Sequence, residues 1–193
     1  MTNGPIRGMM LGKGGDVMDD RDFMEAALAL AREAADAGEV PVGCVIVRNG
    51  EIVGRGRNRR EEAKNALAHA EIEAIDQACK ALGGWRLWEC TLYVTLEPCP
   101  MCAGAILHAR IPKVVYAAPD PKGGAMGGLC DLNEIPFNHH PAVESGLLEA
   151  EAGALLQDFF QNLRLTLHSR PKWRRPASTQ KEDLPEDFKL KTY

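Results

Sequence analysis

Two short motifs of this chain carry side chains that could hold a metal ion and move protons beside it. The first reads His-Ala-Glu, and the second, about thirty residues later, reads Pro-Cys-Pro-Met-Cys. The imidazole of His69 and the thiolates of Cys99 and Cys102 are ligand types that zinc prefers, and three protein ligands leave a fourth position open for water. A carboxylate such as that of Glu71 can move protons beside this water. The motifs therefore predict a catalytic zinc centre.

The spacing within each motif sets a geometric condition. Cys99 and Cys102 lie three residues apart at a predicted strand-to-helix junction, so both sulfurs can face one ion. The helix N-terminus there favours thiolate over thiol. On a regular helix, His69 and Glu71 would point about 200° apart. They can converge only if His69 lies at an irregular helix start.

Other interpretations of these residues remain open. A structural zinc site would have four protein ligands, and no fourth ligand is evident. Neither Cys90 nor Cys130 belongs to a second pair of closely spaced cysteines like Cys99 and Cys102. His108 lies at the far end of the predicted helix that contains Cys102. Glu71 alone could be an acid that interacts with the dipole of a helix N-terminus. The open, catalytic site is favoured, and a non-catalytic zinc module that binds RNA or protein is the alternative.

Length and composition exclude several classes of protein. With 193 residues, of which 45% are hydrophobic and 26% charged, the chain suits one globular domain. No apolar run approaches the roughly 18 to 20 residues that span a bilayer, and residues 1–20 lack the apolar segment of a signal peptide. We therefore expect a cytoplasmic protein without membrane contact. The cysteines outside the motif are expected to be buried, small apolar side chains: Cys44, Cys79, Cys90 and Cys130.

Hydrophobic periodicity and turn signals predict the fold. The expected elements are a helix over 22–37, strands over 42–48 and 51–57 joined by a turn at 49–50, a polar connection over 58–68, a helix over 69–82, a strand over 91–96, a helix over 100–108, a strand over 113–117, a loop over 120–128 and a helix over 148–168. This order predicts an α/β protein with three α/β/α layers and a mixed central sheet of about five strands.

The two motifs together are the signature of zinc nucleobase deaminases. Further stretches carry a more specific likeness: Glu39-Val40-Pro41-Val42-Gly43, Ala68-His69-Ala70-Glu71 and the run from Thr95 to Ala105. With them, the chain resembles the bacterial tRNA-specific adenosine deaminases of the cytidine deaminase superfamily. The resemblance covers about residues 20–168 and implies a cytidine deaminase-like fold.

The resemblance implies an activity and a set of functional residues. It implies hydrolytic deamination of adenosine to inosine at the wobble position of a tRNA anticodon loop, by a homodimer with its pocket near the subunit interface. His69, Cys99 and Cys102 match the ligands of one zinc ion per subunit, and Glu71 matches the proton shuttle.

Three more positions match substrate contacts of that family. Asn58 matches a residue that hydrogen-bonds the target nucleoside, the backbone of Ala70 a base contact, and Asp120 a loop position close to the bound strand. Asn58 could instead be a strand-end turn residue, and Asp120 a turn residue between prolines. Residues 65–67 and 117–119 depart from the family's usual pattern near the expected pocket mouth. A deaminase of a free base or nucleoside, of the guanine or cytosine class, is therefore the second hypothesis.

The ends of the chain differ from its middle. We expect a flexible leader over residues 1–19, a zinc-dependent deaminase domain over 20–168 and a charged, proline-containing tail over 169–193. The formal net charge of −4 argues against a general attraction to nucleic acid. Residues 164–175 nevertheless carry five basic residues and no acid. This basic stretch could contact phosphates or serve only as a solvated tail.

Overall fold

The computed structural model describes residues 18–167, so almost all of the predicted leader and all of the predicted tail lie outside the described residues. Among residues 18–167 the chain forms five α-helices, one 3-10 helix and five strands. In chain order they are α1 Asp20–Asp36, β1 Gly43–Arg48, β2 Glu51–Arg57, α2 Arg60–Ala63, α3 Ala70–Leu82, β3 Cys90–Leu96, α4 Pro100–Ala109, β4 Lys113–Ala118, the 3-10 helix Leu132–Glu134, β5 Ala142–Ser145 and α5 Glu149–Leu167.

The strands form one mixed sheet in the order β2-β1-β3-β4-β5. The pairs β1–β2 and β1–β3 are antiparallel, whereas β3–β4 and β4–β5 are parallel. The prediction of a mixed five-stranded sheet is confirmed. The central strand β3 runs between the antiparallel and the parallel half, so its C-terminal end delivers the chain directly into α4.

Helices cover both faces of the sheet and give the predicted α/β/α layers. Against one face, α3 and α4 pack through apolar side chains such as Ala74 and Ile106, in one cluster with Ile46 and Val94. Against the other face, α1 packs through residues such as Met24 and Leu28, and the start of α5 adds to the same apolar cluster. The chain divides into two compact units, residues 1–159 and 160–193. The sheet and the site described below lie in the first, and the described residues of the second, 160–167, are helical.

Local signals explain two of the element boundaries. The Asp19 carboxylate accepts a hydrogen bond from the backbone N–H of Asp22, and the reciprocal bond completes a capping box that starts α1. Asn49 and Gly50 have φ angles of 53° and 79°, which is the conformation of a type I′ hairpin turn between β1 and β2. The turn agrees with the sequence prediction, whereas α1 begins at Asp20, two residues before the predicted start at residue 22.

The expectation of burial for the additional cysteines is wrong for one of them. Cys44 and Cys90 are buried and Cys79 is half-buried, but Cys130 is exposed because it ends an irregular, glycine-rich segment. Within the part of the chain that the structure describes, no helix combines the length and the apolar character needed to cross a membrane.

Candidate active site

Three side chains meet where α3 and α4 begin. The His69 Nδ1 atom lies 3.7 Å from the Cys99 sulfur and 3.5 Å from the Cys102 sulfur, and the three ligand atoms all lie within 4.8 Å of one another. In a tetrahedral zinc site with bonds of about 2.05 Å to nitrogen and about 2.3 Å to sulfur, the nitrogen and sulfur atoms are about 3.6 Å apart. The spacing of these side chains therefore fits a metal ion of this size.

Helix N-termini position the three ligands. His69 is the N-cap of α3 and has extended backbone angles, φ −88° and ψ 152°, rather than helical ones. Cys99 is likewise the extended N-cap of α4, with Pro100 at the first helical position and Cys102 in the first turn. Pro100 suits this position because the N–H groups in the first turn of a helix have no partner within the helix. A proline there, which lacks an N–H, therefore removes no helical hydrogen bond.

The extended conformation of His69 meets the condition set by the sequence. Because His69 precedes the regular helix, its imidazole and the Glu71 carboxylate can lie on one side of α3 although they are two residues apart. Glu71 is only 4% exposed. Burial raises its pKa to about 7, and the neighbouring Cys99 contributes to the same shift. The result is a carboxyl group that can both take up and release a proton near neutral pH.

The two thiols shift each other's pKa in opposite directions. Hydrogen bonding with Cys102 lowers the pKa of Cys99 to about 4, whereas the same contact, together with burial, raises the pKa of Cys102 far above its ordinary value. Hydrogen bonding to Cys99 also raises the pKa of His69. Thiolate is the form of cysteine that binds zinc, and the lowered pKa of Cys99 favours that form at one of the two sulfurs.

A small cavity opens beside Glu71. Its volume is about 170 Å³, and its apolar lining is supplied by Val40, Val42 and Leu96. A protein cavity of roughly 150 Å³ can hold a benzene molecule, so this pocket has room for a planar aromatic ring. The polar side of the lining contains the three positions that the sequence proposed for substrate contacts: Asn58, Ala70 and Asp120.

Asn58 is held by a buried acid that the sequence analysis did not single out. Its side-chain nitrogen donates to Glu39 Oε2 at 3.3 Å, and the other oxygen of Glu39 accepts from the backbone N–H of Glu62 at 2.7 Å. Glu39 is 2% exposed. In the sequence, Glu39 belonged to the stretch Glu39-Val40-Pro41-Val42-Gly43 that carries the family likeness, but no role was assigned to it, and its partners lie about twenty residues away.

Ala70 and Asp120 reach the pocket in different ways. Ala70 is the first residue of α3, where a backbone N–H has no partner within the helix. The Asp120 carboxylate accepts hydrogen bonds from the backbone N–H groups of Lys122 and Gly123. Asp120 thus closes a turn and also lines the pocket, and its contact with a bound strand stays a prediction.

A fourth ligand does not join the cluster among residues 18–167. Cys90 and Cys130 lie outside it, as does His108 on the exposed side of α4. The three-ligand arrangement is what an open site requires, and a closed structural site would need a further ligand. Glu97, also buried, lines the pocket beside Cys99; it was part of a family motif in the sequence but had no role assigned to it.

A three-layer α/β/α fold with a His-Cys-Cys cluster and a buried glutamate at two helix N-termini defines a deaminase-type protein. The family model of MafB19-like deaminases matches residues 18–164. The chain therefore belongs to the MafB19-like deaminase family, and the prediction of an enzyme of this type is confirmed.

Individual relatives indicate which kind of deaminase the chain is similar to. The tRNA-specific adenosine deaminase of Bacillus subtilis (strain 168) is 54% identical over 146 residues, which cover 75% of this chain and 91% of the relative. A solved structure from studies of A-to-I editing by tRNA:A34 deaminases at the wobble position matches with a TM-score of 0.65 and 47% identity, over 69% of this chain and 98% of that one. These matches confirm the resemblance stated from the sequence.

A more distant likeness connects the chain to enzymes of free bases. The guanine deaminase of Bacillus subtilis matches with a TM-score of 0.51 and 29% identity, over 82% of this chain and 99% of that chain. The fold is thus compatible with more than one substrate class.

Proposed function

We propose that this protein catalyses the hydrolytic deamination of adenosine to inosine at the wobble position of a tRNA anticodon. The single observation that carries the proposal is the position of Glu71, a buried proton carrier beside the His69, Cys99 and Cys102 cluster in a pocket for one planar ring. The 54% identity to a tRNA-specific adenosine deaminase supports the choice of substrate.

We propose zinc as the metal, one ion per subunit, held by His69, Cys99 and Cys102. The nitrogen and sulfur ligand set and the distances of 3.5 and 3.7 Å support this choice. When bound, zinc supplies a Lewis acid that activates water for attack on the base. The chain's own contribution is to hold three ligands at two helix N-termini and to place Glu71 beside them.

Glu71 moves the protons of the reaction. It takes one proton from the attacking water and gives it to the ring nitrogen as the hydroxyl adds to the carbon that bears the amine. It then takes the proton of that hydroxyl and gives it to the amine, which leaves as ammonia when the C–N bond breaks, so that adenosine and water become inosine and ammonia. Its pKa, raised to about 7 by burial, suits both directions of transfer near neutral pH.

The pocket lining recognises an unstacked base. The side chains of Val40, Val42 and Leu96 contact the faces and edges of the ring, and the side chain of Asn58 and the backbone of Ala70 supply hydrogen bonds. Asp120 lies where the neighbouring strand passes. Deaminases of this kind require the target base out of its stack, and an anticodon loop offers an unpaired adenosine at low cost.

A homodimer in the cytoplasm completes the proposal. Two apolar side chains on segments that also line the pocket are exposed, Leu67 by 57% and Leu129 by 61%. A second copy that covers them would bring the subunit interface close to the pocket, as the family resemblance implies. The cytoplasm follows from the proposed substrate, because tRNA is modified where it is made and used.

Glu71→Gln tests the proposal most directly. The full-length variant and the wild type are incubated with an RNA anticodon stem-loop that carries adenosine at the wobble position, and inosine and ammonia are measured. We expect the variant to retain its zinc and to lose about 10²- to 10⁴-fold in kcat. Glu73→Gln is the control, because Glu73 lies on the same helix but pairs with Arg59, and it should keep wild-type turnover.

Two results would contradict the proposal. Full turnover by a zinc-loaded Glu71→Gln protein would exclude the proton role. Ammonia released from guanine, cytosine or a free nucleoside, with none from the stem-loop, would assign the site to the second hypothesis, a deaminase of small molecules.

A further inference from the structure

Glu97 is a buried carboxylate whose hydrogen bonds all lead to one loop. It follows the last residue of β3 and is 3% exposed. Its Oε2 atom accepts from the backbone N–H of Asp120 at 2.9 Å, and its Oε1 atom accepts from the backbone N–H groups of Met126 at 2.9 Å and Gly128 at 2.8 Å. Among the residues that the structure describes, Glu97 forms no ion pair. Three backbone donors therefore compensate its buried charge.

The loop closes tightly around this carboxylate. We call residues 119–130 the glycine-rich loop. A Cβ atom at Gly124 would lie 2.2 Å from the Glu97 carboxyl carbon, and one at Gly128 would lie 2.4 Å from Oε2. Neither glycine has a positive φ angle, so lack of space, and not backbone conformation, requires glycine at both positions. Glu97 fills that space at Gly124, and Glu97 together with the carbonyl oxygen of Asp120, 2.5 Å away, fills it at Gly128.

The same loop forms part of the pocket. Asp120, its second residue, lines the cavity together with Leu96, Glu97 and Cys99. Backbone bonds add to the attachment, since Ala125 donates to the carbonyl oxygen of Pro98 at 2.9 Å. Glu97 thus connects the end of β3, which leads to the ligands Cys99 and Cys102, with the glycine-rich loop at the pocket mouth.

We infer that Glu97 is a positioning residue that holds the glycine-rich loop against the pocket and so sets the affinity for the RNA strand around the target base. The inference rests on the proposed function, because the strand is that of the anticodon loop. The hydrogen bonds that the structure gives Glu97 go to this loop and not to His69, Cys99 or Cys102, so its effect on catalysis passes through the loop and Asp120.

The substitution Glu97→Gln tests the hydrogen bonds of Glu97 separately from the size of its side chain. It keeps the size of the side chain but replaces one acceptor oxygen with an NH₂ group, which must face a backbone N–H of the loop. Two donors then oppose each other in a buried place, and at least one loop amide loses its partner. Gly128→Ala disturbs the same contact from the loop side, because its Cβ would meet Oε2. Glu134→Gln, an exposed acid just beyond the loop, is the matched control.

The experiment measures kcat and KM on the anticodon stem-loop, zinc content, and hydrogen–deuterium exchange of the loop amides, all with the full-length protein. For Glu97→Gln and Gly128→Ala we expect KM to rise about tenfold or more, kcat to change less than about threefold, and zinc to stay at the wild-type level. The amides of Asp120, Met126 and Gly128 should exchange faster. The Glu134→Gln protein should match the wild type in each measurement.

Several results would overturn the inference. An unchanged KM, a fall in kcat without a rise in KM, or a loss of zinc would show that Glu97 does not act through the loop. If the wild type leaves the stem-loop unmodified, the proposed function fails, and amide exchange still decides the positioning role. Wild-type exchange rates in the Glu97→Gln protein would then exclude it.

Discussion

The close packing of α3 on the hairpin makes Gly56 a test of how the fold positions the site. A Cβ atom added at Gly56 would lie 2.0 Å from the carbonyl oxygen of Ala70 and 2.7 Å from the backbone nitrogen of Ala74. Real Cβ atoms do not approach such atoms closer than about 3.0 Å. In a Gly56→Ala protein, β2 and the start of α3 must therefore separate by about 1 Å.

This displacement falls on the first turn of α3, which carries His69 as its cap and Glu71 within it. Overpacking of this kind costs about 1–3 kcal/mol, or about 2–12 °C in Tm for a protein of this size. A shift of about 1 Å at catalytic groups costs about 100-fold in rate. We expect Gly56→Ala to lower kcat/KM on the stem-loop by about 100-fold and to lower Tm within that range.

Gly104→Ala is the matched control for this prediction. Gly104 lies inside α4, and a Cβ atom there would meet nothing within 4 Å. Alanine is better than glycine in a helix by about 0.5–1 kcal/mol, so this variant should melt slightly higher and keep its activity. Calorimetry and the stem-loop assay measure both proteins. Wild-type Tm and activity in the Gly56→Ala protein would refute the claim that contact between α3 and β2 places the catalytic groups.

Three further predictions follow from single contacts. Cys102→Ser should lower bound zinc, measured by atomic absorption, well below one ion per chain, whereas Cys130→Ser outside the cluster should not. The Tyr93 hydroxyl donates to Asp20 at 2.6 Å and lowers its pKa. This stabilisation is present at neutral pH and is lost as pH falls through the lowered pKa, so Tyr93→Phe should reduce Tm more at pH 7 than at pH 3. Leu129→Asp should shift the protein toward monomer in light scattering, and an unchanged dimer would exclude this face as the interface.

Local signals made much of the fold and of the metal-type cluster predictable. The Asn49-Gly50 turn needs only neighbouring residues, and the structure places it as predicted. The cap at Asp19 is equally local, but α1 begins two residues before the predicted start. The ligand spacing at Cys99 and Cys102 is likewise local, because both belong to one helix start. Even the extended conformation of His69 was predictable, because on a regular helix its side chain could not lie on the same side as that of Glu71.

The sequence did not reveal the elements whose local signals are weak. The strand β5 has only four residues, lies at the edge of the sheet and is largely exposed, so no apolar alternation marks it. The helix α2 is a single turn within a segment predicted as a polar connection. It is bonded to a distant part of the chain, because Glu39 accepts a hydrogen bond from the backbone N–H of Glu62. Such long-range contacts leave no periodic pattern in the sequence.

The three buried glutamates show how environment divides the roles of one residue type. Glu39 and Glu97 accept hydrogen bonds from backbone N–H groups of distant segments, which fixes them as anchors for the parts of the chain that line the pocket. Glu71 lies instead among thiols and an imidazole, and burial raises its pKa to about 7. A carboxylate whose charge is satisfied by backbone donors holds structure, whereas one that is buried without such a set of donors is left free to exchange protons. The same physical rule that separates acid from base in other enzymes therefore separates positioning from proton transfer in this pocket.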